Sequence, residues 1–123
     1  MMVSKSINVG IATHQQLKKR AMEIARGERR SSPKEPKVWF TSLESFARVL
    51  SGPNRELLKI IDENRPDSLK ELEALSGRKV SNLSRTLKTM SQHGLVSLEH
   101  GKRGAVMPRV LIKKLHMDLA LVG

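Results

Sequence analysis

Between Arg78 and Gln92 the chain carries Arg78, Lys79, Ser81, Asn82, Ser84, Arg85, Thr86, Lys88, Thr89 and Gln92, and no Asp or Glu. Guanidinium, ammonium, hydroxyl and amide groups all donate hydrogen bonds. Wound as a helix, Val80, Leu83, Leu87 and Met90 fall in one stripe. Ser81, Asn82, Arg85, Lys88, Thr89 and Gln92 share the opposite side. An ordinary exposed helix mixes charge signs, and this side does not. Such a face suits a polyanion whose edges accept hydrogen bonds. Arg can donate two bonds to guanine and Asn can pair with adenine, which makes Arg85 and Asn82 the leading base readers. Ser81, Ser84, Thr86, Lys88 and Thr89 would share base and phosphate contacts. Arg78 and Lys79, in the preceding turn, suit the phosphate backbone, where contacts set position and supply affinity. Ser84 lies nearer the apolar flank and serves equally as a small packing residue. Lys102 and Arg103 form a second basic point between Gly101 and Gly104. The glycines permit a sharp turn and close approach, so the pair could touch phosphates or enter the minor groove, or could simply be a charged turn.

These groups need elements to place them. Ser68 and Glu71 fit a capping box that opens a short helix through Leu69, Leu72 and Leu75, broken by Gly77. A tight turn leads to a helix from about Val80 to His93, with Gly94 as its cap. Leu95–Leu98 reads as a strand, His100–Gly104 as a basic turn and Ala105–Met107 as the returning strand. Pro108 makes that strand an edge or ends it. Short helix, turn, longer helix and basic hairpin is the order of a winged helix-turn-helix. Upstream, Val38–Phe40 is a short apolar strand, and Thr41 with Glu44 offers another capping box. The helix through Phe46, Val49 and Leu50 stops at Ser51-Gly52, and Pro53 takes the first position of the next. Leu57, Leu58, Ile60 and Ile61 give that helix a broad buried face, and Asn64-Arg65-Pro66 ends it.

At the N-terminus Ile7, Val9 and Ile11 alternate as in a strand, and Thr13 with Gln16 caps a helix through Leu17, Ala21 and Ile24. Lys18, Lys19, Arg20, Arg26, Arg29 and Arg30 crowd around it, and residues 31–37, with Pro33 and Pro36, read as a linker. At the other end Leu115, Met117, Leu119 and Leu121 alternate with Lys114, His116, Asp118 and Ala120. That period predicts a third strand, with a helix as the alternative. Its partner would be Ile7–Ile11, the hairpin, or the same strand of a second subunit. The expected fold is mainly α with a small β component. Residues 1–37 form a dimerisation or partner arm, 38–110 the winged helix-turn-helix, and 111–123 a C-terminal strand.

Composition narrows the function classes. The net charge is +11, and it is segregated: nine Lys/Arg stand against three Asp/Glu in residues 1–37, five against seven in 38–77, and nine against two in 78–123. Two basic ends around a slightly acidic middle point to a polyanionic partner. The absence of cysteine excludes thiol chemistry and thiolate metal sites. His14, His93, His100 and His116 have no zinc-site spacing, and His93 reads as a helix C-terminal residue whose charge suits the dipole. Glu44, Glu56, Asp62, Glu63 and Asp67 lack a partnered nucleophile and read as solvent-facing, so no enzyme, metal or cofactor is expected. No apolar run is long enough for a membrane span and no signal pattern opens the chain, which makes the cytoplasm the default.

The run Ser81-Asn82-Leu83-Ser84-Arg85-Thr86-Leu87-Lys88, followed by Gly94-Leu95-Val96, resembles winged-helix regulators of the MarR and ArsR type. The wider pattern from Trp39-Phe40-Thr41-Ser42 to Leu50-Ser51, then Arg55, Leu57 and Leu58, resembles small MarR-like prokaryotic regulators, some of them antitoxin-like. The resemblance implies DNA-binding homodimers that repress their own operon. It departs from metal-sensing ArsR proteins because cysteine is absent, and the chain is too short for the long dimerisation helices of typical MarR proteins. The expected function is therefore sequence-specific recognition of double-stranded DNA by a homodimeric transcriptional regulator, with an autoregulating antitoxin as one form. The alternative is a protein-interaction module whose basic arm neutralises an acidic toxin. Single-stranded RNA is disfavoured by the shortage of aromatics for base stacking.

Overall fold

Alternating apolar residues build the first strand, β1 (Ser6–Ile11), in the computed structural model, which describes residues 6–30, 35–117, 119, 121 and 122. Thr13 then caps α1 (His14–Ala25) through the expected reciprocal box: its hydroxyl accepts from the Gln16 amide at 3.1 Å, and its own amide donates to the Gln16 side chain at 2.8 Å. Parallel strands need a crossover connection. Helix α1 supplies it, returning the chain to β2 (Val38–Phe40), which runs parallel to β1. The C-terminal strand β5 (Lys114–Met117) pairs with the other side of β1, giving the order β2-β1-β5. This selects Ile7–Ile11 from the three partners open in the sequence. Val9, Val38 and Phe40 are buried on one face, packed by Ile7, Ile11, Leu115 and Met117.

Two expectations need correction here. The C-terminal strand spans Lys114–Met117 only, and beyond it Leu121 and Val122 are 89% and 93% exposed, so the apolar alternation does not stay buried to the end; residues 118, 120 and 123 lie outside the described ones. The linker expected over 31–37 is tied down at its C-terminal end. Glu35 pairs with Arg20, and the Lys37 amide donates to the Asn8 carbonyl at 3.0 Å, while residues 31–34 lie outside the described ones. On the sheet's other face the Trp39 ring lies over Gly10, and the Arg20 guanidinium sits 5.4 Å from the ring centre. A Cβ on Gly10 would come within 2.4 Å of Trp39 and 2.8 Å of Pro36.

The remaining helices follow from their caps. Ser42, not Thr41, opens α2 (Leu43–Val49), accepting from the Ser45 amide at 3.0 Å, so the expected Thr41–Glu44 box does not form. Ser42 is the residue with the extended backbone an N-cap requires. Ser51 caps α3 (Gly52–Asn64), which makes Gly52 the first helical residue and Pro53 the second. Both positions lack an intrahelical amide partner, so proline is tolerated one residue later than expected. Helix α4 (Leu69–Ser76) is capped by Ser68 and closed by Gly77 at φ 78. Helix α5 (Val80–Gln92) ends at His93 and Gly94, the latter at φ 75. Strands β3 (Val96–His100) and β4 (Val106–Val110) form a two-stranded antiparallel hairpin. β4 continues past Pro108, which a ribbon with a free edge allows.

Leu57 and Ile61 of α3, Leu72 of α4, and Leu83, Leu87 and Met90 of α5 bury together with Leu95, Val96 and Val110. Val49 and Leu115 touch both this cluster and the sheet cluster. Phe40 joins the two parts as well, meeting Phe46 edge-on at 5.1 Å and stacking on His93 at 4.2 Å. That stack corrects the reading of His93. It does sit at the helix end, but burial lowers its pKa from the usual 6.5 and favours the neutral ring. The architecture is mixed α/β, with five α-helices and five strands among the described residues. No helix among them is long and apolar enough to cross a membrane.

Gly10→Ala should cost about 1–3 kcal/mol by overpacking, read as a lower urea midpoint with red-shifted Trp39 emission. His93 gives a pH signature. Between its lowered pKa and 6.5 the unfolded chain binds more protons than the folded one, so stability is whole above 6.5 and falls as pH drops through that window. His93→Phe keeps the stack and should flatten this slope in urea titrations on either side of 6.5.

Candidate nucleic-acid interface

Helix α5 owes its orientation to its apolar stripe. Leu83, Leu87 and Met90 are 0–1% exposed, and Val80 is half-buried. This turns Ser81, Asn82, Ser84, Arg85, Lys88, Thr89 and Gln92 outward, and all seven are exposed. Ser84 therefore stands on the exposed side rather than packing within the core. Thr86 is half-buried beside them. The helix start is satisfied from outside, because its cap residue Lys79 makes no side-chain cap. Instead Glu73 of α4 accepts from the Val80 amide at 3.3 Å, placing a carboxylate at the positive helix end.

Arg78 is less free than its place in the turn suggests. Its Nε donates to Asn82 Oδ1 at 2.8 Å, Nη1 to Asn54 Oδ1 at 3.0 Å and Nη2 to Thr86 Oγ1 at 3.0 Å. Asn54 in turn donates through Nδ2 to the Val49 carbonyl at 2.9 Å. One guanidinium thus ties the end of α2 and the start of α3 to two successive turns of α5. Three of its five N–H groups are engaged, which leaves two to face solvent or a phosphate. Asn82 and Thr86 each spend one acceptor site on Arg78 and keep their donors.

No hydrogen bond or ion pair engages the side-chain cations of Arg85 and Lys88 among the described residues. Beside α5 a groove of about 220 Å³ is lined by Arg48, Val49, Asn54, Arg85, Thr86 and Thr89. The Thr89 hydroxyl donates to the Arg85 carbonyl at 3.2 Å, leaving its oxygen exposed. At the hairpin tip a short 3-10 turn spans Lys102–Gly104. The Gly101 amide donates to the Ala105 carbonyl at 2.7 Å and the Ala105 amide to the Lys102 carbonyl at 3.1 Å. Only Gly104 of the two flanking glycines needs its freedom, at φ 74; the other left-handed residue is Arg103 itself, at φ 59. That conformation costs a side-chain-bearing residue about 1–2 kcal/mol. Lys102 and Arg103 are both exposed.

The structure thus places nine of the eleven sequence-predicted positions around one helix and its preceding turn, and the remaining two on the hairpin tip. Sequence reasoning missed Asn54 and Glu73, whose roles depend on contacts 24 and seven residues away along the chain. It also missed Arg109, which donates to the Pro66 carbonyl at 2.7 Å and pairs with Asp67, fastening β4 to the α3–α4 connection. No cluster of three His, Cys, Asp or Glu suited to a metal occurs among the described residues.

The family model HVO_A0114 matches residues 49–117, from the end of α2 to the end of β5, and the chain belongs to that family. No curated protein matches the chain.

Arg78→Ala should lower stability by about 1–2 kcal/mol and broaden the Asn82 side-chain amide signals in NMR spectra. Arg78→Lys should restore little of either, because an ammonium cannot hold three acceptors in the guanidinium fork.

Proposed function

We propose that this protein is a sequence-specific double-stranded-DNA-binding transcriptional regulator of the winged helix-turn-helix type. The observation that carries the reading is the exposed, acid-free face of α5, standing on an apolar stripe whose Leu83, Leu87 and Met90 are buried. In this reading α4 and its turn steady α5 in the major groove. Arg85, with a free guanidinium, reads guanine, and Asn82 reads adenine through its amide and the second lone pair of Oδ1. Ser81, Ser84, Lys88 and Thr89 share bases and phosphates, and Lys79 faces the backbone. Arg78 acts chiefly by holding Asn82, with Thr86 as part of the same clamp. Lys102 and Arg103 grip phosphates or the minor-groove rim from the hairpin.

A homodimer on a two-fold related operator doubles contacts that one small module makes weakly, and repression of its own operon is the biology the family resemblance suggests. A second reading, a basic arm that binds an acidic partner protein, is favoured by α1, which buries no residue and leaves Met22 and Ile24 exposed. Its test is whether the full chain retains an acidic protein encoded beside it and loses that protein on Lys18→Glu with Lys19→Glu while DNA binding persists.

The DNA reading is tested by selection from a random duplex pool. Arg85→Ala should lose preference at one base position, by about tenfold or more. Lys102→Ala should weaken every duplex alike and reduce the salt slope by about one. Equal weakening of all duplexes by Arg85→Ala contradicts its assignment.

A further inference from the structure

A cavity of about 560 Å³ lies between α2, the start of α3 and the connection from β4 to β5, away from the outward face of α5. Its size falls in the range of small-molecule sites, about 300–1,000 Å³. The walls are apolar: Phe46, Leu50, Leu58, Leu95, Ile112 and Leu115. The polar groups are few and of one character. Arg55 spends Nε on the Leu50 carbonyl at 3.1 Å, leaving its Nη groups available. Ser51 accepts from the Asn54 amide at 3.4 Å and keeps its hydroxyl hydrogen to donate. Lys113 lines the same space, its charge shared with Asp62 at 3.2 Å. Among the described residues no Asp or Glu lines the cavity itself. A carboxylate can take the Arg55 and Ser51 donors, and a cation would meet two like charges.

The geometry points to a binding site for a small amphipathic anion, an apolar body carrying one carboxylate, whose head group meets Arg55 and Ser51 while its body fills the apolar walls. The site is wired to α5. Leu50, Ser51 and Arg55 flank Asn54, and Asn54 holds Arg78, which holds Asn82 and Thr86. A carboxylate bound at the Arg55 Nη groups also pulls on the Nε contact with the Leu50 carbonyl, beside the turn from which Asn54 projects. Occupancy therefore shifts Asn82 through a continuous chain of hydrogen bonds. That this signal regulates DNA binding rests on the reading of α5 given above; the binding itself does not.

The test uses the DNA-free full chain, titrated with octanoate, octanol and octylamine and followed by methyl and side-chain amide NMR. Octanoate should saturate with shifts at Leu50, Leu58, Ile112 and Leu115. Octanol should bind about tenfold more weakly, for want of a charge-assisted bond, and octylammonium should not bind. Arg55→Gln should bring octanoate down to the affinity of octanol. Ala47→Phe, at an exposed position lining the cavity and outside the core, should abolish both. The Asn82 amide signals should move as octanoate saturates, and Asn54→Ala should remove that movement while binding persists. Octanol binding as tightly as octanoate, shifts centred elsewhere, or undiminished binding by Ala47→Phe overturns the site. An unmoved Asn82 amide at saturation overturns the coupling. Because no DNA is present, either failure leaves the reading of α5 standing, and failure to bind DNA leaves a positive octanoate result intact.

Discussion

Burial of one stripe of α5 governs the whole arrangement. Leu83, Leu87 and Met90 sit against α3, α4 and the first residues of the hairpin with almost no exposure. Each such side chain contributes roughly 1.5–3 kcal/mol when fully removed from water. Rotating α5 to hide its polar face would expose all three and bury unpartnered donors and two cations, a far larger loss. The outward direction of Arg85 and Lys88 is thus a consequence of packing.

The polar contacts refine what packing sets. Arg78 locks the turn to α3 and to two turns of α5, and Glu73 satisfies the start of the same helix. Arg109 does the equivalent for the hairpin by fastening β4 to the chain before α4. These links divide the cations into two kinds. Arg78 and Arg109 are held inside the molecule by neutral and acidic acceptors, whereas Arg85, Lys88, Lys102 and Arg103 stand clear. Formal charge does not distinguish the two kinds, and geometry does. The N-terminal and C-terminal strands, meanwhile, meet in one parallel sheet whose Phe40 stacks on His93 at the far end of α5. Both ends of that helix are therefore anchored, one by hydrogen bonds and the other by aromatic packing.

Much of this was legible in the residues because it is local. The spacing of Leu83 and Leu87, the glycines at 77 and 94, and the serine at 68 each act within a turn or two, so helices and caps follow from neighbours alone. Partners distant in sequence were not legible. Alternation in Ile7–Ile11 and Leu115–Met117 showed two strands, but their pairing is settled by tertiary packing. Ser42 displaced Thr41 as a cap because two adjacent hydroxyls fit the same pattern and only the backbone angles separate them. The candidate face was legible as a set of residues, since it needs only helical periodicity. Its inner wiring was not, because Asn54 is an unremarkable residue in the sequence until Arg78 is seen to reach it across 24 positions. His93 changed meaning for the same reason: its stacking partner Phe40 lies on another element.

The central claim is that α5 presents its acid-free side to duplex DNA. The most direct measurement is a titration of the isotope-labelled full chain with a duplex taken from a selected pool, followed residue by residue in amide and side-chain NMR spectra. The account predicts perturbations concentrated on Lys79–Gln92 and on residues 101–104, with the largest side-chain shifts at Arg85 and Asn82. Perturbations confined to α1 or β5, with the α5 signals unmoved at saturation, would contradict it.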